Sequence, residues 1–98
     1  MSHLIEIFLP SNVDDACGKL ERVDGELIER FGGVTLHINP PAKGLWDGDS
    51  GVESDKTIVI EVITDELDRI WWAGYRQKLE KRFDQDEVMI RATIVRRL

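Results

Sequence analysis

Two hydrophobic periodicities alternate along this chain, and their order leaves few folds open. Residues 3–9, 34–38, 56–63 and 87–95 are short alternating or β-branched runs, the pattern of half-buried strands. Residues 13–31 and 65–83 instead carry apolar side chains at helical spacing. Pro10, Gly32-Gly33 and Asn39-Pro40-Pro41 punctuate the boundaries. The predicted order is therefore β-α-β-β-α-β.

Right-handed crossovers turn that order into one four-stranded antiparallel sheet, in the order 4-1-3-2, with two helices on one face. This is an α+β, ferredoxin-like sandwich. With 98 residues, the chain is expected to form a single domain, 1–98.

In the first helix, Val13, Ala16, Cys17, Leu20, Val23, Leu27, Ile28 and Phe31 fall within about 140° at about 100° per residue. Ser11 and Asn12 are the expected N-caps, with Asp14 and Asp15 at the positive end of the helix dipole. Gly18 and Asp24-Gly25 weaken the helix, and a break near Asp24 is allowed. Gly32-Gly33 stops it. Cys17 is expected on the buried side as a small hydrophobe.

The second helix has a wider apolar face. Leu67, Ile70, Trp71, Trp72, Gly74, Tyr75, Leu79 and Phe83 span about 220°. Thr64-Asp65 is the expected cap. Leu67, Ile70, Trp71 and Gly74 are expected to cover the sheet, with Gly74 admitting a close neighbour. Trp72 falls at the margin of the core with Leu79 and Phe83, against a loop, a second subunit or a ligand.

The helix-free face of the sheet is the expected functional surface. Alternation places Ile5, Ile7 and Leu9, Val34, Leu36 and Ile38, Ile58, Ile60 and Val62, and Val88, Ile90, Ala92 and Ile94 toward the helices. Leu4, Phe8, Val59, Ile63, Met89 and Val95 are left on the open side. That surface is too apolar for solvent and predicts a homodimer packed sheet on sheet, ahead of a fold-back of loop 40–55 over the sheet or a heterologous partner. Arg91, Glu6, Glu61 and His37 are expected to cross it in one row. Two carboxylates and a histidine there suit acid/base chemistry, and they equally suit two cross-strand ion pairs, Arg91–Glu6 and Glu61–His37. A one-residue slip of register would reverse every assignment.

Residues 40–55 form a long loop for so small a domain. Leu45-Trp46 is expected either to anchor it to the body or to act as a lid, and Lys43 is the cation of its apolar half. The acidic half does not fit a calcium loop, since the positions six and twelve counted from Asp47 hold Val52 and Ile58. No metal or cofactor motif is found.

Composition narrows the classes further. The net charge is −6, and residues 1–55 carry 4 Lys and Arg against 11 Asp and Glu. Such an acidic half repels phosphate backbones, so no nucleic-acid partner is expected. Arg91, Arg96 and Arg97 are too sparse to reverse this and read as charges guarding an edge strand. No apolar run has membrane-spanning length, and the first residues do not resemble a signal peptide. A cytoplasmic protein is expected.

Residues 29–34 (ERFGGV), 41–46 (PAKGLW), 67–72 (LDRIWW) and 83–92 (FDQDEVMIRA) resemble a small family of uncharacterised bacterial proteins of about this length. The likeness covers nearly the whole chain and implies no activity. The architecture also resembles dimeric α+β-barrel proteins, among them small monooxygenases and isomerases, without carrying their catalytic motifs. Two functions follow as expectations. One is a small dimeric binding or interaction domain using the open face, with Phe8, Trp46, Trp72 and Lys43 at the interface or ligand. The alternative is a cofactor-free monooxygenase- or isomerase-like enzyme acting on a small apolar substrate, its candidate catalytic residues His37, Glu61, Glu6 and Arg91.

Overall fold

The computed structural model describes residues 1–39 and 57–98. Six elements follow one another: β1 Ser2–Pro10, α1 Ala16–Phe31, β2 Thr35–Asn39, β3 Thr57–Thr64, α2 Arg69–Arg82 and β4 Met89–Val95. The sheet runs β2-β3-β1-β4, the expected 4-1-3-2 order viewed from its other edge. All three pairings are antiparallel.

Alternation is obeyed closely in β1 and less so in β3, where Val59 is buried too although it lies on the other face of the sheet. Ile5, Ile7 and Leu9 of β1 and Ile58, Ile60 and Val62 of β3 are buried beneath the helices, with Val23 and Leu27 of α1 above them. Each such side chain contributes about 2 kcal/mol by leaving water. At the edges the inward set thins out. Leu36 on β2 and Ala92 and Ile94 on β4 are exposed, contrary to the sequence expectation, because helix cover fades at the sheet margins.

Helix α1 starts later than expected. Its N-cap is Asp15, in the left-handed conformation at φ 54° and with no side-chain capping bond, so Ser11, Asn12 and Asp14 lie ahead of the helix. Gly18 has a use there: a Cβ at this position would lie 2.6 Å from a carboxylate oxygen of Asp15. The helix runs unbroken through Asp24-Gly25 and ends at Gly32, whose φ of 90° suits glycine. Cys17 is exposed rather than buried, since the delayed start leaves it on the outer side.

Helix α2 is rotated relative to expectation. Its core stripe is Trp72, Tyr75 and Leu79, continued by Phe83 just beyond the helix end, and all four are buried. Ile70 is 87% exposed, while Trp72 is only 6% exposed. Trp71 is half-buried, and Gly74 is exposed with nothing near its Cβ position. Trp72 stacked on Phe31 and Tyr75 bonded to Glu26 hold this setting, and the helix also starts late. Asp68, not Thr64 or Asp65, is the cap, and its carboxylate accepts the backbone N–H of Trp71 at 3.0 Å. Asp65 and Glu66 therefore precede the helix: Asp65 accepts the Ser2 hydroxyl, and the backbone carbonyl of Glu66 accepts the Thr64 hydroxyl.

The two helices are clamped by Glu26. Arg82 donates to both of its oxygens at 2.9 Å, and the Tyr75 hydroxyl donates to it at 2.8 Å. The Arg82 guanidinium hydrogen bond is the main reason the Glu26 carboxyl sits below the usual carboxylate range; burial pulls the other way. Burial, then the Glu26 hydrogen bond, pushes the Tyr75 phenol well above its ordinary value.

Candidate functional site

The open face of the sheet carries three cross-strand rows. Met89, Phe8, Val59 and His37 stand side by side across β4, β1, β3 and β2. The next row is Arg91, Glu6, Glu61 and Thr35, and the third is Thr93, Leu4 and Ile63. A charged row is thus flanked by two rows rich in apolar side chains. Met89 is 59% exposed and Ile63 48% exposed, with Leu4 and Phe8 half-buried between them.

The predicted polar residues do meet on this face, with one change of register. His37 lies in the row of Phe8, opposite Val59, and reaches Glu61 diagonally, Nε2 to Oε1 3.1 Å. Diagonal neighbours on a pleated sheet are within reach of long side chains. At the other edge, Arg91 Nε donates to Glu6 Oε1 at 2.7 Å, and the Arg91 guanidinium lies 5.0 Å from the centre of the Phe8 ring. Glu6 and Glu61 face each other directly across β1 and β3, and each carboxylate has a cationic or ionisable partner. A shallow pocket of about 270 Å³ at this end of the face is lined by Leu4, Phe31, Val34, Thr35, Glu61 and Ile63, and it leaves out His37.

The tryptophan pair belongs to the helix layer. Trp72 stacks on Phe31 at 5.4 Å, joining the two helices. Trp71 lies edge-on to Trp72 at 4.7 Å and stacked on Tyr75 at 4.8 Å. Arg30 covers the outer face of Trp71 at 4.2 Å and pairs with Asp68 at 3.7 Å. Trp72 is therefore a core residue, on the opposite side of the sheet from the Glu6–Glu61 row. Lys43, Trp46 and the loop carrying them lie outside the described residues. Among the described residues, no three His, Cys, Asp or Glu side chains converge to hold a metal ion. No helix among them is long and apolar enough to cross a membrane.

The Glu26–Tyr75–Arg82 network went unread in the sequence. Its members are 49 and 56 residues apart, so no local spacing announces it. The signal available was a tyrosine followed seven residues later by an arginine on one helix face.

No protein-family model and no curated protein matches this chain. A solved structure titled as the de novo designed protein Foldit4 is similar, with a TM-score of 0.58 over 98% of this chain and 100% of that one. At 16% identity the likeness concerns the fold alone.

Proposed function

We propose that the chain is a small interaction domain that associates with a second copy of itself through the open face of its sheet. The observation that carries this reading is the pairing of exposed Met89 and Ile63, in rows with half-buried Phe8 and Leu4, with a charged row whose members already hold each other. Met89 and Ile63 offer apolar surface at opposite corners of the face. Arg91–Glu6 and His37–Glu61 keep their partners within the protomer, so covering them leaves neither carboxylate without a hydrogen-bond partner. Sheets packed face to face sit about 10 Å apart, close enough for both apolar rows to interdigitate.

The enzyme reading needs a cavity joining His37 to Glu61. Among the described residues, the pocket at Glu61 is lined mainly by the apolar side chains of Leu4, Phe31, Val34 and Ile63, which supports the binding reading. The reading extends to a cytoplasmic setting, where an exposed thiol such as Cys17 stays reduced. It also keeps the kinship with small bacterial proteins suggested by residues 29–34 and 83–92.

The test is an isotope-filtered NOE experiment on a mixture of labelled and unlabelled protein. Intermolecular signals from the Met89 and Ile63 methyl groups are expected. Signals confined to the helix layer, or none at high concentration, would refute the reading.

A further inference from the structure

The other side of the sheet holds a second surface. Between α2 and β4 runs an open groove of about 470 Å³, of the size that takes a small molecule. Its floor is the helix-side face of β4, where Ala92 is exposed and Ile94 is 64% exposed. Its wall is one stripe of α2: Arg69, Trp72, Ala73 and Arg76 recur at i, i+3, i+4 and i+7, the spacing of a single helix face. Ala73 leaves room between the two arginines, which are about 10 Å apart along the axis.

The charge of this groove opposes that of the molecule. The chain carries −6 overall, yet no acidic side chain lines the groove, while Arg69 and Arg76 of α2 do; Arg91 borders it but turns its side chain to the other face of the sheet. Arg91 is engaged by Glu6, and Arg76 lies 3.6 Å from Glu80. Arg69 has no acidic partner among the described residues. At the same end, the Nδ1 atom of His3 is buried without a hydrogen-bond partner, and His3 stands opposite Ile94. A buried polar atom left so is destabilising, a deficit that a polar ligand atom can relieve.

We propose that this groove binds a small carboxylate with an apolar body. Arg69, supported by Arg76, holds the carboxylate, and Trp72, Ile90, Ala92 and Ile94 take the body. Arginine suits that role because its planar fork matches a carboxylate. The groove lies on the opposite side of the sheet from the dimer surface, so each site can fail without the other.

Octanoate and octan-1-ol, titrated separately at low salt and followed by amide chemical shifts, test this. Octanoate is expected to saturate with its largest shifts at Arg69, Ala73, Ala92 and Ile94. Octan-1-ol, with the same chain and no charge, is expected to bind at least about tenfold more weakly, one charge-assisted contact being worth that much. In the double variant Arg69→Gln, Arg76→Gln, octanoate affinity should fall to that of octan-1-ol. Equal binding of the two probes, an absence of saturable binding, or shifts centred on Met89 and Ile63 would each overturn the proposal. The comparison of the two probes on the unmodified chain stands without any variant.

Discussion

Glu26 does more than its place on a surface helix announces. It accepts three hydrogen bonds from α2, two of them from an Arg82 side chain only 10% exposed. Removing it strands a desolvated guanidinium. Glu26→Ala should therefore lower unfolding free energy by about 2–3 kcal/mol in urea titration, below the full cost of breaking a buried pair because Glu26 itself is partly exposed. The pH dependence follows from the direction of its shift. A carboxyl held below its ordinary value contributes stability above that value and loses it as pH falls through the lower folded-state value. The stability gap between the unmodified chain and Glu26→Gln should thus begin to shrink as pH falls below the ordinary glutamate value of about 4.3 and go on shrinking as pH falls through the lower folded-state value. A gap that stays constant over that range would show that the carboxylate charge is not what Arg82 requires.

At the scale of elements, the strands were legible and one helix was not. The faces of β1 and β3 follow from a strict period of two, and Pro10 and Gly32 mark their neighbours' limits. In α2 the apolar residues span so wide an arc that two rotational settings bury a comparable stripe. The observed setting is held by Trp72 stacked on Phe31 and by the Tyr75 hydroxyl bonded to Glu26, with Asp68 capping the helix after a delayed start. This setting has a measurable consequence. Trp72→Ala should cost about 3–5 kcal/mol, as for a fully buried aromatic, and Trp71→Ala clearly less. Ile70→Ser should stay within about 0.5 kcal/mol. The reverse order in thermal or denaturant unfolding would restore the setting read from the sequence. The groove between α2 and β4 was hidden for the same reason, since Arg69, Trp72, Ala73 and Arg76 form a wall only once the helix is so rotated.

For the whole molecule, the sheet separates two surfaces of different character. The helix-free side presents apolar rows around internally paired charges, and the helix side carries a cationic groove on an acidic chain. The four polar residues of the open face were foreseeable as a group because alternation within each strand sets Glu6, His37, Glu61 and Arg91 opposite the inward apolar residues. The diagonal reach of His37 to Glu61 was not, because register between β2 and β3 leaves no trace in either strand alone. Self-association through the open face is the central claim, and sedimentation equilibrium of the unmodified chain beside Met89→Lys tests it most directly. The unmodified chain should be a dimer at micromolar concentration and Met89→Lys a folded monomer with an unchanged far-UV circular dichroism spectrum, since Met89 is exposed in the protomer. A monomeric unmodified chain at high concentration, or a Met89→Lys variant that remains dimeric, would contradict it.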